Sequence, residues 1–287
     1  VPEINRREMA AEYGLTLAFL NSNKELKGLF DRAVKNTWDP TRFQAAVRNT
    51  NWYKRTAEPY RQAQVLKKTD PATYGQRLNQ VRARLRLLAT EYGASIGGKE
   101  FGNLAERVFQ MGLDDNQVRR ELGEYVKYSD GRMLGQAGQW EAEMRQHMQD
   151  MGISWGNKAV KSAVTRMVTG STTIQDALSR MNEQAKSKYA HLASRIDAGE
   201  TVYEIASPYI QEIGEILEQN PESVTLKNPL IQKALDVRGE KDTHRTMTIS
   251  EFGDQLRQTT KWRTTDNAKA AASTTVRQLG QFFGQAV

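Results

Sequence analysis

The sequence predicts an all-α protein, a multi-helix array of short-loop helical hairpins with weak internal repeats. Val, Ile and Thr do not fall into the alternating runs a half-buried strand requires. Helix-start signals recur along the whole chain, and the short connections between them favour antiparallel neighbours. Hydrophobic residues make up 38% and the mean hydropathy is −0.69, which points to thin or elongated helical layers rather than one thick core. At 287 residues such a chain still buries roughly 75% of its unfolded surface, so it requires no disulfide or metal staple.

In chain order, helices are expected over about 3–21, 23–36, 40–49, 54–69, 71–94, 99–111, 115–127, 135–151, 157–169, 173–184, 186–198, 202–218, 228–237, 249–258 and 265–284. Asp39-Pro40 and Asp70-Pro71 each set an N-cap before a proline at the first helical position, where the missing N–H costs nothing. Thr172–Gln175, Thr201–Glu204 and Thr248–Glu251 have the spacing of a capping box, and Asp114–Gln117 is a further version. Asp130-Gly131 is the one hairpin-type dipeptide. It lacks alternating apolar flanks, so it reads as a helix-to-helix turn.

Two sets of weak repeats run through this pattern. Leu26, Phe30 and Asp31 precede Asp39, Phe43, Val47, Arg48, Thr50 and Trp52; near the other end Ile231, Leu235 and Asp236 precede Thr248, Phe252, Leu256, Arg257, Thr259 and Trp262. In the middle, Arg107-Val108, Arg166-Met167 and Arg195-Ile196 are each followed by a glycine (Gly112, Gly170, Gly199). An apolar i, i+4 position pair then follows, at Val118/Leu122, Ile174/Leu178 and Val202/Ala206. Capping chemistry alone can generate such punctuation; a duplicated building block can as well, and would make a stacked, scaffold-like body. The chain accordingly divides into an N-terminal helical module (1–70), central helical repeats (71–206) and a C-terminal module (207–287) resembling the first.

Several functional classes are excluded or disfavoured. No run of 18 apolar residues exists, so no membrane-spanning segment is expected, and the start does not look like a secretory signal. The absence of cysteine removes disulfides, thiolate metal sites and thiol nucleophiles. His147, His191 and His244 are far apart, and none has a second histidine at helical metal-ligand spacing. Residues 93–100, GASIGGKE, imitate both a phosphate-binding loop and a serine-nucleophile elbow. Glu100 stands where magnesium would need Ser or Thr, and a helix rather than a strand precedes. The carboxylate pairs Glu121–Glu124, Glu141–Glu143 and Glu212–Glu215 read as solvated helix faces. No catalytic, cofactor or metal residue is expected, and the protein is read as non-enzymatic.

Particular residues resemble a known protein type. The succession runs through Glu12-Tyr13-Gly14, Leu20-Asn21, Glu25-Leu26, Ala33, Trp38, Phe43 and Asn49-Thr50-Asn51-Trp52, then Arg61 and Asp70-Pro71. Later come Gly170 with Thr172-Thr173, and Gly199-Glu200-Thr201-Val202 before Ile205-Ala206-Ser207-Pro208-Tyr209. This resembles the helical minor structural proteins, tail-associated or internal to the virion, of actinobacterial bacteriophages. The resemblance implies a virion component assembled in the host cytoplasm. Its partners would be other virion proteins and further copies of itself, with non-specific DNA as an alternative. Some longer proteins of this type carry a cell-wall-degrading domain, which makes a hydrolase accessory module the remaining alternative.

Charge is the most informative functional feature. Lys plus Arg number 41 and Asp plus Glu 34, a formal +7. The segment 48–86 holds Arg48, Lys54, Arg55, Arg61, Lys67, Lys68, Arg77, Arg82, Arg84 and Arg86 against Glu58 and Asp70, a local +8. The other residues carry 31 basic against 32 acidic side chains, so the whole excess sits there. A solvated face, an acidic protein surface and nucleic-acid phosphates each suit such a segment. Arg82 and Arg86 share a helix face and Arg84 turns away, an arrangement that also suits salt bridges to acidic neighbours. Trp38, Trp52 and Trp262 read as covers for seams between helices, with Trp52, Tyr53 and Trp262 as interface aromatics in the alternative reading.

Overall fold

The computed structural model describes residues 3–239, 243–282 and Gly284. Among them are seventeen α-helices and one two-stranded antiparallel pair, an all-α fold. The chain forms two compact units. The first comprises residues 1–139 and 164–171, the second residues 140–163 and 172–287. The boundaries expected after residues 70 and 206 both fall inside these units.

The first unit holds α1 (Glu3–Glu12), α2 (Leu17–Asn21), α3 (Lys24–Lys35), α4 (Pro40–Arg48), α5 (Asn51–Arg55), α6 (Glu58–Thr69), α7 (Pro71–Tyr92), α8 (Gly98–Met111) and α9 (Asp115–Leu122). It also holds the start of α10 (Gly135–Asp150) and the end of α11 (Asn157–Val168). The second unit takes the rest of these two and α12 (Ile174–Lys188), α13 (Ala193–Asp197), α14 (Val202–Leu217) and α15 (Pro229–Leu235). The strands β1 (Val237–Arg238) and β2 (His244–Arg245) follow, then α16 (Ile249–Arg257) and α17 (Asp266–Phe282).

Several expected helices are divided. The stretch 3–21 breaks at Gly14, which has φ of 72°, and restarts when the Thr16 hydroxyl accepts from the Phe19 N–H. The stretch 54–69 is replaced by α5 and α6, because Thr50 caps a short helix of its own and Pro59 starts the next. The stretch expected to run to 127 ends at Leu122 and tightens into a 3-10 turn. Conversely α12 runs on to Lys188, past the break expected at 185. Asp130-Gly131 is not a plain helix-to-helix turn. Both residues have positive φ, and Ser129 and Arg132 exchange both backbone hydrogen bonds in an isolated antiparallel bridge. The left-handed pair closes the turn without the apolar alternation that a longer hairpin would show.

Three capping boxes follow the three repeat glycines, at Asp114–Gln117, Thr173–Asp176 and Thr201–Glu204, and a fourth opens α16 at Thr248–Glu251. The box expected at Thr172–Gln175 is therefore shifted by one residue. With that shift the buried stripe of α12 is Ala177, Met181 and Ala185, and Ile174 and Leu178 are only half-buried.

The first unit has two apolar clusters. One gathers Leu20, Leu26, Phe30 and Phe43 from α2–α4, with Tyr13 stacked on Phe43 at 4.2 Å and Phe30 edge-on to both. The other lines Tyr74, Leu78, Leu85 and Ala89 along α7 against Leu104, Ala105 and Val108 of α8. The end of α7 is pressed against the start of α10. Gly93 and Gly135 both have positive φ, and a Cβ on Gly93 would lie 1.9 Å from the Leu134 carbonyl oxygen. A Cβ on Gly135 would lie 2.5 Å from that of Glu91. Only glycine satisfies both the backbone angle and the approach. The core of the second unit is built around α14, with Ile205, Ile210 and Ile213 buried together with Leu235, Phe252 and Leu256.

The resemblance between the two ends extends to hydrogen bonds. Asp39 and Thr248 cap α4 and α16. The Tyr13 hydroxyl donates to the carbonyl of Trp38, just before the first cap, and the Tyr209 hydroxyl donates to that of Met247, just before the second. Tyr13 also stacks on Phe43, and Tyr209 lies edge-on to Phe252. The exits differ in length. Thr50 donates to the Val47 carbonyl and accepts from the Tyr53 N–H, while the next two N–H groups donate to the Glu25 carboxylate. In the second copy Thr259 makes the first pair of bonds, to Leu256 and Trp262. After one 3-10 turn Thr265 caps α17, and the Asp266 and Asn267 N–H groups donate to the Glu218 carboxylate.

Candidate functional site

Five of the sequence-predicted site residues line one cleft of the first unit: Arg48, Trp52, Tyr53, Arg61 and Arg77. It is about 670 Å³ in volume, within the range of ligand-sized clefts. The apolar wall comes from Tyr13, Phe19 and Phe43 on one side and from Val65, Leu66 and Phe109 on the other. Of these six, only Val65 and Leu66 lie within the segment 48–86, and neither is part of its charge signal. The cleft lies beside α6, which packs on both apolar clusters of this unit, Val65 on one and Ala63 and Leu66 on the other. That is a tertiary fact with no local sequence pattern.

Arg61 is the best positioned of its cations. One Nη donates to the carbonyls of Tyr53 (3.0 Å) and Thr56, and the guanidinium lies 3.9 Å from the centre of the Tyr53 ring. Trp52 is half-buried, edge-on to Phe19 at 5.7 Å. Tyr53 is also half-buried. Arg48 and Arg77 are exposed and make no polar or ring contact with the described residues.

The remaining basic residues do not join the cleft. Lys54, Arg55 and Lys68 are exposed, in the last turns of α5 and α6. Lys67 lies over the Tyr74 ring at 5.3 Å. Further along α7, Arg82 donates to Asn79, Arg84 pairs with Asp115 and Arg86 lies over the Phe101 ring at 5.4 Å. Arg84 also borders a smaller hollow of about 270 Å³ with Leu85, Leu88 and Val108. The segment's two acids are in use locally. Asp70 caps α7, and the Thr73 hydroxyl and N–H hold its carboxyl below the usual aspartate range. Glu58 accepts from Gln62. Trp262 lies in the second unit, half-buried against its core.

Each histidine has a polar partner within the chain. His147 meets the Asn182 side chain at 2.6 Å, His191 meets the Leu235 carbonyl at 2.7 Å, and His244 meets Asp236 at 2.5 Å. No group of three or more His, Asp or Glu among the described residues is arranged to hold a metal ion. In the stretch 93–100, α7 precedes, α8 follows, and the Ser95 N–H donates to the Tyr125 carbonyl, so the serine sits on no strand-to-helix elbow. No described helix is long and apolar enough to cross a membrane. No protein family, curated protein or solved structure matches the chain.

Proposed function

We propose that this protein is a non-enzymatic structural component of a bacteriophage particle, tail-associated or internal, acting through helix-mediated assembly contacts. The observation that carries the reading is α17. It is 17 residues long, and its described side chains from 269 onward are exposed, Val276 and Leu279 included. A helix of that length with no core beneath it is marginal in water, so contact with another subunit would supply its missing stability. Asp39, Thr50, Thr201 and Thr248 serve as helix caps and Tyr13 and Tyr209 as carbonyl latches, as suits a scaffold, and the resemblance to phage structural proteins points the same way. A DNA-contacting role would draw on the segment 48–86, but Lys67, Arg84 and Arg86 are already engaged within the chain.

Mass spectrometry and imaging of purified particles test the reading. A fixed copy number at one place in the particle is expected. A chain that stays monomeric when purified and is missing from particles would overturn it.

A further inference from the structure

We infer that the cleft between α4, α5, α6 and α7 is a receptor for an acidic, apolar-anchored peptide segment of a partner protein. The inference names the partner chemistry for the assembly contacts proposed above and rests on that reading.

Charge sets the sign of the partner. The cleft carries Arg48, Arg61 and Arg77 against the single carboxylate of Glu58. Arg48 and Arg77 are uncompensated by any described acid, and so are Lys54, Arg55 and Lys68 on the adjoining helix turns. Arg61 gives the charge a direction. Its carbonyl bonds use one Nη, and Tyr53 supports its face, which leaves Nε and the second Nη without a described partner. A guanidinium fixed this way offers a planar, pre-organised fork for a carboxylate.

The walls set the rest of the chemistry. Phe19, Val47, Val65, Leu66 and Phe109 make an apolar lining that large side chains would fill. A cavity of about 670 Å³ exceeds what one side chain occupies, so two or three neighbouring residues of one segment fit it. Phosphate-rich partners suit it less well. Duplex DNA has no apolar body to place there. A single strand is gripped by stacking on free aromatic faces, whereas Arg61 covers Tyr53 and Phe19 abuts Trp52.

The test is a selection from a random 12-residue peptide library displayed against the purified full chain. Peptides that place Asp or Glu beside Phe, Leu or Trp are expected to dominate. A synthetic copy of the strongest should lose affinity by about tenfold or more against Arg48→Glu/Arg77→Glu, both exposed positions. Gln62→Trp, which fills the mouth, should reduce binding without lowering thermal stability. No acidic–apolar consensus, indifference to both variants, or displacement of the peptide by an oligonucleotide with higher affinity would each overturn the inference. The two readings fail separately. Particles that lack the chain, with the consensus intact, sink the virion reading; particles that contain it, with no consensus, sink this one.

Discussion

Tyr13 donates its hydroxyl hydrogen to the carbonyl of Trp38 at 2.7 Å, one residue ahead of the Asp39 cap of α4. The bond ties the end of α1 to the entrance of α4 across 25 residues and holds the ring on Phe43. Tyr209, Met247 and Phe252 repeat the arrangement at α16. Tyr13→Phe and Tyr209→Phe each leave a carbonyl without its donor and should cost about 1–2 kcal/mol in denaturant unfolding. The partners are distinct, so the double variant should show the sum to within about 0.5 kcal/mol. Costs near zero would mean that the latches carry no stability.

Gly93 and Gly135 should be the least replaceable glycines. Gly131→Ala meets open space and pays only for its left-handed backbone, about 1–2 kcal/mol. Gly93→Ala adds a backbone collision with Leu134, so its loss should exceed that of Gly131→Ala by about 1 kcal/mol or more. Equal midpoints for the two variants in a thermal melt would refute the close approach.

Acid should loosen the entrance of α16. The Arg245 fork, with both bonds at 2.8 Å, and then the Thr248 N–H draw the Glu251 carboxyl from 4.5 down to about 2. The folded value lies below the unfolded one, so this contribution is fully present above about pH 4.5 and disappears as pH falls toward 2. The melting difference between the wild type and Glu251→Gln should therefore be constant near neutrality and close in that window. A difference that persists at the acid end would contradict the assignment.

Leu279→Glu places a charge on the exposed face of α17 and touches no core. Sedimentation should show weakened self-association, with an unchanged melting temperature at concentrations where both proteins are monomeric. Association that survives the substitution would place the contact elsewhere.

Helix starts were the most legible part of the fold, because a cap is written within four residues. Asp39-Pro40, Asp70-Pro71, Thr201–Glu204 and Thr248–Glu251 all sit where their spacing puts them. The breaks at Gly14 and Thr56 were missed although their causes are local, the positive φ of Gly14 and the helix starts at Thr16, Thr50 and Pro59, because the apolar pattern continues through them. The terminal repeat was visible through Phe43 and Phe252, yet its latch was not, because the acceptors are backbone carbonyls. The basic segment was visible as composition. Which of its residues meet in a cleft depends on Phe19, Phe43 and Phe109, which lie far apart in sequence.

The two helix exits show how such a chain tolerates insertions. In one, Thr50 makes a single pair of bonds, to a carbonyl three residues back and an N–H three residues on; in the other, Thr259 and Thr265 each make that pair, with a single 3-10 turn slipped between. Each threonine satisfies its own neighbourhood within three residues on either side, so an added turn brings its own polar closure with it. Length can therefore drift at these joints while Phe43 and Phe252 keep their buried seats, and copies that diverge this way soon cease to align by simple spacing.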